Sequence, residues 1–241
     1  MPFPYPLIAR PPGDWQDPFD NQAIEMSVSH NMFIRGLNAL HAQAPGIRPE
    51  QVKAFAFFAI SFFEMVETHH NIEETYLFPF YDAKLGAGAM AGNVAEHASF
   101  MPAFAALHAH LKSVHAGAAP YDGAAVAAQL AGFADALVAH LTAEIPTLAA
   151  ARLRAVFTRA ELKAMEDELV KVIMKDISLW TTLPMGLLCH DKSTAPYFPP
   201  MPAPILWAVQ YGFSWRHRDA WEFAPCDVYG RLKPGMGNDT A

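Results

Sequence analysis

Apolar residues return every third or fourth position through most of the chain, and prolines and glycines cut the pattern into separate helices. The first begins at Asp17-Pro18, a capping aspartate ahead of a proline at the first helical position. It carries Ala23, Met26, His30, Phe33, Ile34 and Leu37 on one face before Pro45-Gly46 ends it. Pro49 opens a second helix whose face is Phe55, Phe58, Phe62, Val66, His70, Glu74, Leu77 and Phe78, and Pro79 is expected to stop it. A glycine-rich turn between Gly86 and Gly92 leads to a third, where Asn93 and Glu96 have the spacing of a capping box and His97 falls in the first turn. The fourth, after Gly117 to Gly123, aligns Val126, Leu130, Phe133, Leu137, His140 and Glu144, with Pro146 near its end. Thr158 and Glu161 make a second capping box for a fifth helix bearing Leu162, Met165, Leu169, Val172 and Ile173.

The flanks read differently. Residues 1–16 hold five prolines and no helical period, which predicts an extended arm on the surface or across the helices. Beyond Trp180, five prolines between Pro196 and Pro204 precede Trp207, Tyr211, Phe213, Trp215, Trp221 and Phe223, a run too aromatic for a free linker. The expected architecture is all-α: an arm over 1–16, an up-down four-helix bundle over 17–157, and an additional helix with a Pro/aromatic-rich cap over 158–241 that ends in a short flexible tail.

Composition narrows the class. With 52% hydrophobic and 17% charged residues the chain can bury a large core. A net charge of -7 without a basic stripe removes the electrostatic term that dominates nucleic-acid binding, and an acidic surface gains nothing from anionic lipid. The most apolar run, Ala54 to Phe63, is too short to span a bilayer, and the N-terminus lacks the basic region of a secretory signal. No nucleic-acid or membrane partner is expected, and the expected location is cytoplasmic. Cys189 and Cys226 make no disulfide framework; buried thiols are the simplest reading, with a single bridge left open.

The chemistry lies in polar residues set into apolar faces. His70 with Glu74, and His140 with Glu144, each place an imidazole and a carboxylate one turn apart on one helix face. His30 and His97 add an imidazole from each of the other two helices. One histidine on an apolar face is ordinarily a hydrogen-bonded core residue. Two carboxylates on such faces are another matter, because a buried carboxylate needs a partner or a metal. Four helices, four histidines and two carboxylates match the ligand count of a two-metal site in a bundle. Glu73 and His69 are possible further ligands; His69, rotated about 100° from His70, fits a place behind the ligands or on the bundle seam. His190 and His217 lack a partner at ligand spacing.

His30, the run His70-Asn-Ile-Glu-Glu74 leading to Leu77-Phe78-Pro79, Glu96-His97 and His140-Leu-Thr-Ala-Glu144 together resemble the hemerythrin family in its broader HHE cation-binding form. The resemblance covers roughly residues 20 to 150. It implies an oxygen-bridged di-iron centre with Glu74 and Glu144 bridging and the four histidines as terminal ligands. Two departures stand out. Where the family's oxygen carriers have a second histidine four residues after the one matching His97, this chain has Met101, a poor ligand for a hard ferric ion. Pro102 follows, so the third helix is expected to kink beside a metal short of one ligand, opening the site. The aromatic tail is the other departure, either a wall over the metals or a dimer face. The leading expectation is a dinuclear non-haem metalloenzyme, with iron as the metal, that uses O2 to oxidise a small apolar molecule. A non-catalytic oxygen- or iron-binding protein, and a redox-inert zinc or manganese hydrolase or isomerase, are the alternatives; the residues choose neither the metal nor the oligomeric state.

Overall fold

A computed structural model of the chain describes residues 3–199 and 201–236. The described residues form helices and no strand, with one isolated bridge between Cys226 and Leu232. The expected flexible tail at the extreme C-terminus lies outside the described residues.

Four long helices make the core: α1 (Pro18–Gln43), α2 (Val52–Ile72), α4 (Ala91–His115) and α5 (Gly123–Thr147). α1 packs along α5, α5 along α4 and α4 along α2. The Asp17 carboxylate caps α1 by accepting from the Phe19 N–H, as its position before Pro18 predicts. α2 supplies the aromatic bulk: Phe55, Phe58, Phe62 and Phe63 are all fully buried. Truncating any one of them to alanine would cost about 3–5 kcal/mol. Two glycines allow close approach. A Cβ on Gly36 would lie 2.7 Å from the Phe62 ring, and one on Gly123 would lie 2.1 Å from the Ala44 carbonyl oxygen. The segment Gly123–Arg154 is apolar enough to cross a membrane by length and composition, but half of its most apolar stretch is buried in the protein, where it provides Leu130, Phe133, Leu137 and Leu141 to the core.

α2 does not stop at Pro79. A five-residue π-turn, Glu73–Leu77, follows it, and the chain continues as α3 (Phe78–Leu85). In the π-turn the Phe78 N–H reaches back to the Glu73 carbonyl, and the widened turn accommodates the proline that would break a regular helix. α4 starts at Ala91, ahead of the expected Asn93 cap. Asn93 is buried and donates to Thr147 Oγ1 at 3.3 Å, while Glu96 turns inward to His140, so no capping box forms there. α4 also runs through Pro102 without a break. Pro102 and Ala98 both lie on the exposed side, so the carbonyl that loses its donor stands at the surface.

Two apolar cores flank the middle of the four long helices. The larger one runs toward the α2 N-terminus; the smaller joins Phe19, Ala23 and Met26 of α1 to Leu77, Phe78, Tyr81, Leu148, Phe157, Leu162 and Met165. The last two come from α7 (Arg159–Asp176), whose Thr158–Glu161 capping box forms as expected, after the short α6 (Ala150–Arg154). The arm is not loose: Tyr5 is buried, and Asn38 and Asn31 bind the backbone of Tyr5 and Ile8 through paired hydrogen bonds of 2.8–2.9 Å.

The C-terminal segment adds α8 (Thr182–Cys189), α9 (Ala203–Tyr211) and α10 (Arg218–Trp221). Met185, Leu188, Trp221 and Phe223 join the larger core, while Leu183, Leu187 and Val209 form a small cluster of their own. Phe223 lies 5.3 Å from the Phe55 ring and 6.4 Å from Phe58, and His217 stacks on Phe57 at 4.1 Å. Cys189 and Cys226 are both buried free thiols.

Candidate metal centre

Between the two cores, α1, α2, α4, α5 and the π-turn bring five histidines and two glutamates together. His30, His70, His97 and His140 are at most 3% exposed, and Glu73 and Glu144 are fully buried. His69 keeps 18% of its side chain at the surface. Phe100 borders the cluster 5.4 Å from the His70 ring, and Phe78 stacks on His97 at 5.7 Å from the opposite core.

Six of the seven residues form two groups that share a carboxylate. His70, Glu73, His97 and His140 each offer an atom within 4.8 Å of the others, and so do His30, His69 and Glu73. Glu73 reaches both groups with different oxygens: Oε1 is 2.7 Å from His69 Nε2, and Oε2 is 3.6 Å from His97 Nε2. Glu144 spans the same gap from α5, its Oε2 3.4 Å from His30 Nε2 and 3.6 Å from His140 Nε2.

The outer ring nitrogens fix the inner ones. His30 Nδ1 donates to the Leu141 carbonyl at 2.7 Å, His97 Nδ1 to Glu74 Oε1 at 2.7 Å and His140 Nδ1 to Glu96 Oε2 at 3.0 Å. These partners can only accept, so the Nδ1 proton is assigned from them and each neutral ring turns an Nε2 lone pair inward. The inward nitrogens of His97 and His140 stand 2.9 Å apart. Two lone pairs at that distance repel unless a positive charge sits beside them. His30 Nε2 and His69 Nε2 lie 3.2 Å apart, within hydrogen-bond distance.

Burial sharpens the same demand. It pushes the Glu73 carboxyl well above the ordinary range, with the Glu74 charge adding to it, and does the same to Glu144, with Glu73 adding. It drives the imidazoles down, His69 to about 4 and His140 to about 3, with His30 and His70 also well below normal. His97 falls less far because Glu74 favours its charged form. The rings are thereby held neutral, the state that ligates metal. No hydrogen-bond donor reaches either oxygen of Glu73 or Glu144, and both ring nitrogens of His70 lack partners. The His69–Glu73 contact is short, but the ring N–H is not aimed along it. Unpaired buried carboxylates cost several kcal/mol each. A divalent cation in each group would balance the charge and occupy the inward lone pairs. Imidazole and carboxylate without thiolate suit iron, manganese or zinc.

Of the sequence-predicted ligands, His30, His70, His97, His140 and Glu144 lie in this cluster and Glu74 does not. Its side chain is 42% exposed and holds His97 from outside; Glu73 takes the inward place. Both glutamates stand at the start of the π-turn Glu73–Leu77, where Glu73 is the buried one and Glu74 the exposed one. His69 belongs to the second group rather than behind it. The absence of a histidine at Met101 leaves the His97–His140 group with three imidazoles, since His70 enters it from α2. Glu96, spaced as a helix cap, instead orients His140. The tandem His69-His70 and Glu73-Glu74 gave two registers one residue apart, and burial alone separates them. His190 donates to the Ala195 carbonyl at 3.0 Å, remote from the centre.

A cleft of about 350 Å³ opens onto the cluster between α2 and α4, lined by Glu67, His70, Asn71, Glu74, Val94, His97, Ala98 and Met101. Met101 therefore borders an opening, as expected, but no residue of the C-terminal segment does. The aromatic tail does not line this cleft; Trp221 and Phe223 pack at the far end of α2 against Phe55, Phe57 and Phe58, while Trp207, Tyr211 and Trp215 stay exposed.

A helical protein that buries two carboxylates among five imidazoles is a metal-binding protein. The chain belongs to the hemerythrin HHE cation-binding domain family, whose model matches residues 25–151. Over 236 residues it is 29% identical to Dimeric xanthone biosynthesis cluster protein R11 of Cryptosporiopsis sp. (strain 8999), an alignment covering 94% of this chain and 88% of that protein. No solved structure matches it.

Proposed function

We propose that the chain is an up-down four-helix bundle holding two metal ions, iron foremost, and that it uses O2 to oxidise a small organic molecule. The observation that carries the metal reading is the pair of Nε2 lone pairs of His97 and His140, 2.9 Å apart and aimed inward by Glu74 and Glu96. His70, His97 and His140 would hold one ion and His30 and His69 the other, with Glu73 and Glu144 joining them. Iron, when bound, would supply the redox chemistry that none of these side chains has.

The chain's own residues do the rest. Glu74 and Glu96 keep the Nδ1 protons of His97 and His140 and so set ring orientation and basicity. Phe78 and Phe100 keep the inner face dry, which strengthens the charge interactions there. The α2–α4 cleft gives small molecules a way to His70 and His97, and this access favours an enzyme over a sealed storage site. A relative named for a xanthone biosynthesis cluster fits an oxidative role on an organic molecule. A carrier or iron-binding role is the alternative. Exposing anaerobic, ferrous-loaded protein to oxygen separates them: the enzyme consumes O2 faster when an organic substrate is present and leaves an oxidised product. A stable adduct that releases O2 under vacuum, with no product, would establish the carrier.

A further inference from the structure

The walls of the α2–α4 cleft differ in chemistry. Glu67, Asn71 and Glu74 follow one another on α2 at four- and three-residue steps and so share one face, reaching into the π-turn. Val94, Ala98 and Met101 have the same steps on α4. One wall is thus two carboxylates and a carboxamide, and the facing wall is apolar apart from the buried His97. His70 lies at the floor, 3% exposed, with neither ring nitrogen hydrogen-bonded. Glu67 and Glu74 are each tied on one side, to His108 Nδ1 at 3.0 Å and His97 Nδ1 at 2.7 Å. Their side chains nevertheless remain 36% and 42% exposed.

We infer that this cleft binds a neutral, flat aromatic molecule bearing hydroxyl groups, a phenol, and that such a molecule is the substrate of the adjoining centre. The ring lies against Val94, Ala98 and Met101, whose thioether suits an aromatic partner. The hydroxyl edge faces the α2 wall, where carboxylates accept the hydrogen bonds that a phenol donates. A carboxylate or phosphate is turned away by Glu67 and Glu74. A sugar, polar on both faces, wastes the α4 wall, and an alkane leaves the α2 wall unpaired. The inference rests on the oxidase reading only for the word substrate; the binding itself does not require a metal.

A matched series of probes tests it on the full chain by calorimetric titration under anaerobic conditions, with and without metal. Binding of 2-naphthol is expected, with 2-naphthoate weaker by about tenfold or more because its charge meets two carboxylates at short range. Glu67→Gln with Glu74→Gln should shrink that gap to about twofold, the residue of ordinary hydrogen bonding. Ala98→Trp, at an exposed helical position, should fill the cleft and abolish naphthol binding with the melting temperature and metal content unchanged; Val94→Trp serves if that variant misfolds. Equal affinity for naphthol and naphthoate, tighter binding of 2-naphthylmethylamine, or naphthol binding that survives both tryptophan variants would overturn the assignment. Naphthol binding without any oxygen-dependent turnover would keep the subsite and remove the oxidase. Turnover of other molecules without naphthol binding would do the reverse.

Discussion

Replacing Glu73 with glutamine should change stability in opposite directions with and without metal. In the metal-free protein, burial holds the Glu73 and Glu144 carboxyls well above their ordinary range, so the folded state keeps protons that the unfolded chain releases. Stability from such groups is present at low pH and falls as pH rises from the ordinary carboxylate range toward the raised value, by about 1.4 kcal/mol per group per pH unit. The histidines act oppositely: their lowered values make stability rise with pH, an effect complete above about 6.5. Once the histidine effect is complete the remaining slope is that of the carboxyls, so the unaltered metal-free protein should lose stability as pH rises, by at most about 1.4 kcal/mol per group per pH unit. Glu73→Gln should halve that slope and be the more stable protein in chelator at pH 8. With metal the order should invert, because Glu73 belongs to both ligand groups and its loss weakens both. A ligand held at a hundred times its dissociation constant stabilises by about 2.7 kcal/mol, so even a partial loss is measurable. Urea unfolding at pH 7 and 8, in chelator and in excess ferrous or manganous ion, reads all four values. Equal destabilisation in every condition would show that Glu73 is a packing residue and refute the charge argument.

Glu74→Gln should keep metal bound but lower affinity by about 10–100-fold, since it acts through His97, with a shift in the metal's absorption spectrum as the second readout. Met101→His should narrow the cleft mouth and slow oxygen-dependent turnover without raising metal content, because three imidazoles already serve that group; a rise in content would show a position left open. Phe223→Ala should cost about 3–5 kcal/mol in urea unfolding with metal content unchanged; loss of metal would place the aromatic tail at the site after all.

Helices, caps and the inward faces of α1 and α5 were legible because local chemistry decides them: Asp17 before Pro18, Thr158 before Glu161, and His140 four residues before Glu144. The α2 end was not. Glu73 and Glu74 stand three and four residues after His70, both spacings that share its helix face, so spacing alone does not choose between them. Met101 marks a vacancy only against the family's oxygen carriers, which have a histidine there; His70, His97 and His140 still bring three imidazoles to that group. The tail's place was not legible either. Only Trp221 and Phe223 find cover on the apolar start of α2, and Trp207, Tyr211 and Trp215 stay exposed, a division that composition alone does not make.

The most direct test is elemental analysis of protein purified without added metal or chelator, alongside Glu73→Gln with Glu144→Gln. Two ligand groups predict about two metal ions per chain in the unaltered protein and a fall well below one in the double variant, with circular dichroism showing the helices intact. A metal content near zero in the first, or two ions retained in the second, would contradict the assignment.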